Sequence, residues 1–147
     1  MVKAQELRIG NIIEAPNGEW KRVENINENS FNQRIDGDGV IGCYKLELYK
    51  GIVLSPEILE KCGFVKNAYY NHKNNPYIPD ERKALDYFDY RIGTMVLSPV
   101  GLPIEFFEVE YCPLDIEERT YIAKVFYLHQ LQNLIFALTG EELEVNL

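Results

Sequence analysis

Apolar and polar residues alternate in short runs along most of this chain, and only near the C-terminus does the repeat lengthen to that of a helix. "ELRIGNIIEA" and "EWKRVENI" are β-branched runs joined through Pro16, Asn17 and Gly18. An Asn-Gly pair between two such runs predicts a hairpin, because both residues tolerate positive φ. "NENSFNQRIDGDGVIG" is rich in Gly, Asp and Asn and reads as a connection, after which "CYKLELYKGIVL" reads as extended. Ser55 and Pro56 open a short helix as N-cap and first helical residue, and Gly63 closes it after "EILEKC". "FVKNAYY" predicts a strand and "NHKNNPYIPDERK" a long exposed loop. "ALDYFDYRIG", "TMVLS", "PIEFFEVEY" and "RTYIAKV" are aromatic and β-branched runs that predict further strands.

These elements predict an α+β fold: an antiparallel, strand-rich single domain with one short central helix and one longer C-terminal helix. A length of 147 residues suits one domain, within which residues 1–54 are a candidate small barrel-like subdomain.

The last stretch, "VFYLHQLQNLIFALTGEEL", carries the longer helix, with Gly140 as its stop. With Leu131 set at zero and about 100° per residue, Tyr127, Leu128, Leu134, Ile135 and Leu138 fall within about 60° of it and form a predicted core-facing stripe. His129, Asn133 and Phe136 lie within about 40° of the opposite pole, and Gln130 and Gln132 flank the stripe. A Phe on the polar side calls for cover, from a second layer of the chain or from a partner. His129, Gln132, Asn133 and Phe136 are therefore a candidate partner face.

Charge sharpens this picture. Residues 1–100 carry 13 Lys and Arg against 14 Asp and Glu, whereas residues 101–147 carry Arg119 and Lys124 against nine acids; the balances of −1 and −7 make up the net −8. Glu105, Glu108, Glu110, Asp115, Glu117 and Glu118 form one acidic cluster, and Glu141, Glu142 and Glu144 another. Such a surface repels phosphate backbones and attracts basic partners, although it also serves plain solubility. The start, "MVKAQELRIGN", lacks a signal-peptide pattern, and no run approaches the ~18 apolar residues of a membrane span, so a cytoplasmic protein without membrane association is expected.

Candidate chemistry is sparse. His129 could be oriented by Asn133, one turn on, but its helix offers no Ser, Cys, Asp or Glu beside it, and the positive end of the helix dipole favours the neutral ring. Cys43, Cys62 and Cys112 are widely spaced, with no C-x-x-C element for zinc or redox work, and Cys62 in the last turn of its helix is expected to be a buried, inert thiol. Asp36, Asp38 and Glu47 fit positions 1, 3 and 12 of a calcium loop, but Val40 and Ile41 stand where a ligand and the required Gly belong, so a turn is expected. No phosphate-loop or dinucleotide pattern is present; neither a cofactor nor a metal is expected. The loop "YYNHKNNPY" places Tyr69, Tyr70, His72, Lys73 and Tyr77 together, a set that could stack on bases, though one Lys gives little phosphate attraction.

"ELRIGN", "LSPEILEKCGF" and "YLHQLQNLIFALTGEEL" together resemble a family of small uncharacterised proteins from gut Bacteroidetes and their phages and mobile elements. The resemblance spans most of the chain in three blocks and implies a bacterial or phage cytoplasmic origin, with no activity, cofactor or catalytic residue attached. Three functions follow as expectations. The first is a non-enzymatic protein-interaction or binding module with a protein partner or a second copy of itself. The second is a nucleic-acid-binding accessory protein using the Tyr69 to Tyr77 loop, and the third an enzyme centred on His129.

Overall fold

The Ala15 carbonyl accepts the Gly18 N–H at 2.9 Å and the Ala15 N–H donates to Glu19 at 2.8 Å, closing a hairpin whose loop is Pro16, Asn17 and Gly18. Gly18 sits at φ 84°, the left-handed position a three-residue hairpin loop requires at its end. The structure, a computed structural model, describes residues 2, 4–26, 30–34, 41–45, 48–66, 89–101, 103–113 and 118–146. Among them the fold is α+β, with two antiparallel sheets, a short helix α1 (Pro56–Lys61) and a longer helix α2 (Leu128–Thr139). The chain gathers into two compact units. One comprises Met1–Val53 and Tyr127–Leu143, the other Leu54–Phe126 and Glu144–Leu147. Residues 1–53 are thus completed by the C-terminal helix.

In the first unit β1 (Ile12–Glu14), β2 (Trp20–Ile26), β3 (Ser30–Arg34) and β4 (Ile41–Lys45) pair in sequence order. Strand β3 lies inside the segment that reads as a connection. Its sequence, Ser-Phe-Asn-Gln-Arg, has no apolar alternation to announce it, and antiparallel pairing on both sides, Phe31 opposite Ile26 and Tyr44, defines it instead. "ELRIGNIIEA" is likewise only partly extended: a 3-10 turn at Ala4–Glu6 precedes the three residues of β1. Ile12 and Ile13 are both fully buried, so both faces of β1 are covered; Ile13 packs with Val2, Leu7, Ala15, Val23 and Tyr49. The free edge of β1 is partly paired through Glu14 and Lys50, whose N–H groups donate to each other's carbonyls at 2.9 and 3.0 Å.

In the second unit β5 (Val65–Lys66), β6 (Tyr90–Ile92), β7 (Met95–Val100), β8 (Phe106–Tyr111) and β9 (Thr120–Val125) also pair in sequence order. Phe107 opposite Val125 and Val109 opposite Leu97 form the buried face, with Tyr90 edge-on to Phe107 at 6.4 Å. Helix α1 follows its sequence signals. The Ser55 hydroxyl accepts the Ile58 N–H at 3.4 Å, and Gly63 at φ 87° lets the Phe64 and Gly63 N–H groups reach back to the carbonyls of Leu59 and Glu60. No helix among the described residues is long and apolar enough to cross a membrane.

Candidate functional site

Helix α2 begins after Tyr127 and ends at Gly140, whose φ of 72° and N–H to the Phe136 carbonyl supply the expected stop. The Gln130 side chain caps the start by accepting the Tyr127 N–H at 3.2 Å. The helix is rotated relative to the phase its apolar residues predict. Leu128, Leu131 and Ile135 are buried as expected, but so are His129 and Gln132, while Tyr127 and Leu138 are exposed. The buried arc is centred about 80° from Leu131 at helical spacing. His129 and Gln132 therefore do not lie on an exposed partner face, and the outward positions of that candidate set are half-buried Asn133 and exposed Phe136.

The reason for the rotation is the unfinished edge of β1. The Gln132 side chain lies against it, its Oε1 accepting the Ile12 N–H at 2.8 Å and its Nε2 donating to the Gly10 carbonyl at 3.2 Å. One amide thereby satisfies two main-chain groups two residues apart, as a neighbouring strand would. Leaving the buried Ile12 N–H unpaired costs roughly 1–3 kcal/mol, comparable to what burying another leucine in that position would contribute.

The next residue extends the same contact. Asn133 Nδ2 donates to the Glu6 carbonyl at 2.7 Å, and Asn133 Oδ1 accepts from Asn11 Nδ2 at 2.9 Å. Asn11 is fully buried, and its Oδ1 in turn accepts the Arg8 N–H at 2.7 Å. Two adjacent helical amides thus fasten the segment from Glu6 to Ile12. Nothing local in the sequence points to Asn11 or Arg8; the available signal is the uncharged Gln132-Asn133 pair in a helix with no Asp, Glu, Lys or Arg.

Phe136 is covered in part by this chain itself. The Arg8 guanidinium lies over the ring, 4.1 Å from its centroid, and pairs with both carboxylate oxygens of Glu142. The Arg8 hydrogen bond holds the Glu142 carboxyl below the usual carboxylate range. Among the acids of the second cluster, Glu142 is therefore part of an internal contact.

His129 is 1% exposed. Its ring stacks on Tyr127, centroids 5.7 Å apart and planes 14° from parallel, and Gly51 lies so near that a Cβ there would come within 2.8 Å of the Tyr127 ring and 3.0 Å of His129 Cε1. Glu6 Oε2 is 3.7 Å from Nε2, an ion-pair distance beyond hydrogen-bond range, and neither ring nitrogen has a hydrogen-bond partner. Burial pushes the His129 pKa below the ordinary histidine value, while the Glu6 carboxylate pulls the other way. The ring is neutral at pH 7 and sealed from any substrate in this conformation.

The remaining candidates are scattered. Cys62 and Cys112 are buried, and burial pushes Cys62 up to about 12, well away from thiolate chemistry. In the first acidic cluster Glu105 and Glu118 are exposed, whereas half-buried Glu110 lies 3.9 Å from Arg119, which binds Asp89 at 2.8 Å. Burial raises the Glu110 pKa against the pull of Arg119. Asp115, Glu117, the calcium-like positions Asp36, Asp38 and Glu47, and the loop residues Tyr69, Tyr70, His72, Lys73 and Tyr77 lie outside the described residues. Among the described residues no three His, Cys, Asp or Glu side chains gather as a metal would require.

No protein-family model, curated protein or solved structure matches the chain.

Proposed function

We propose that the chain is a non-enzymatic protein-interaction module, binding through the outward end of α2. One observation carries this reading. The helix has no charged residue, its amides bond inward, and its last turn leaves Phe136, Ala137 and Leu138 exposed, Leu138 by 50%. An uncharged, partly apolar surface turn is the kind of feature that marks a contact with another protein. Burial of His129 supports the non-enzymatic side of the reading, since a general base must come within hydrogen-bond reach of its substrate. The resemblance to small proteins of gut Bacteroidetes, their phages and mobile elements supports a cytoplasmic setting in such a cell.

Affinity capture from the source cells, paired with light scattering of the purified chain, tests the reading. The expected result is a specific partner or a dimer that is lost in Leu138→Glu, with the circular dichroism spectrum unchanged. A monomeric wild type that captures nothing, or capture indifferent to Leu138→Glu, would contradict it.

A further inference from the structure

One buried polar group of α2 takes no part in fastening the helix to β1. His129 occupies the second helical position, where the dipole opposes a positive charge, and its two ring nitrogens are buried without hydrogen bonds. Around it, the 3-10 turn contributes Glu6, the segment before β-bridge residue Val53 contributes the backbone of Gly51, and α2 contributes no charge. Lys50, beside Gly51, is exposed, and the electrostatic influence on the ring comes from Glu6. Main-chain bonds hold the start of the helix down beside the ring. Leu128 N–H donates to the Ile52 carbonyl at 2.8 Å, and Tyr127 bridges to Val53.

We propose that His129 is an acid-sensitive latch: protonation of this sealed ring releases the first turn of α2 and its bonds to Ile52 and Val53, while the Gln132 contact to β1 holds the rest of the helix. An imidazolium in this seat has one carboxylate, that of Glu6 at 3.7 Å, and no acceptor within hydrogen-bond distance of either nitrogen, a poor exchange for water. Tyr127 covers one face of the ring and Gly51 stands beside Cε1, so the charged ring is packed mainly against apolar and main-chain atoms. Opening the turn hydrates the ring at the cost of the main-chain bonds of Leu128 and Tyr127 and of exposing the Leu128 side chain. The burial-driven depression of the ring's pKa agrees with this direction: stability from the neutral ring is present above the unfolded histidine value and is lost as pH falls through the folded one.

The chain has two histidines, so the test is direct. The C2 proton of each is followed by NMR against pH, with His72→Gln assigning the pair, and hydrogen-exchange protection factors are measured for the Leu128 amide over the same range. The expected result is a His129 midpoint below that of a free histidine, with Leu128 protection falling by up to about tenfold per pH unit, the limit for uptake of one proton. Glu6→Gln, which removes the one favourable charge, should lower the midpoint further, and His129→Phe should make Leu128 protection independent of pH. A His129 midpoint at or above the free value, or Leu128 protection that holds while the ring titrates, overturns the proposal. Wild-type titration decides the matter even if a variant fails to fold.

Discussion

Arg8 and Phe136, 128 positions apart, meet: the guanidinium carbon stands over the ring, 4.1 Å from its centroid, while the same guanidinium donates to the Glu142 carboxylate. This contact joins the N-terminal segment to the last turn of α2. It also explains how a phenylalanine can sit on the polar side of a helix without being fully buried.

Arg8→Ala should destabilise the chain by about 1–2 kcal/mol, combining a cation–π contact with a partly exposed ion pair discounted for solvent screening. Glu142→Gln should cost less, since Glu142 is half exposed, and its effect should shrink in high salt. Because Arg8 depresses the Glu142 pKa, the pair's contribution is present above the ordinary carboxylate pKa and lost as pH falls through the lowered one. A double-mutant cycle of Arg8→Ala with Phe136→Ala, followed by urea unfolding, should show positive coupling between the two.

Gln132→Leu should be more damaging, by about 1–3 kcal/mol, because it strands the buried Ile12 N–H at the edge of β1, while the Gly10 carbonyl keeps its bond from Arg22. Gln132→Glu retains one acceptor but loses the donor and buries a charge. Its deficit relative to wild type, measured by thermal unfolding, should narrow as pH is lowered and the carboxyl becomes protonated.

Much of the fold was legible along the chain, and the α2 site much less so. Ser55, Pro56 and Gly63 announce α1, and Gly140 announces the end of α2, because caps and stops are local requirements of the backbone. The rotation of α2 was not legible, because an apolar period counts leucines and cannot register the demand of β1's edge for an amide at position 132. Strand β3 was hidden for a related reason. Its identity rests on pairing with β2 and β4, and its own residues resemble those of a loop. The pairing of Arg8 with Glu142 and Phe136 has no local signature at all.

Gly51→Ala should cost about 1–3 kcal/mol through overpacking, since its Cβ would stand 2.8 Å from the Tyr127 ring and one of the two aromatic rings must shift. Chemical denaturation gives the cost, and the chemical shift of the His129 C2 proton should move with it.

Glu110→Gln should stabilise the second unit at neutral pH. Burial raises the Glu110 pKa, so the fold favours the protonated acid; that benefit is present below the unfolded carboxylate value and lost as pH rises through the folded one. The gain in melting temperature should appear at pH 7 and vanish under acid conditions.

The central claim, that α2 turns its amides inward and offers its last turn to another protein, is tested most directly by a photo-crosslinking residue placed at position 138 in the source cells, with position 70 as the comparison. The account predicts a discrete protein adduct, a partner or a second copy of the chain, from position 138. Adducts from position 70 to nucleic acid, with none from position 138, would contradict it.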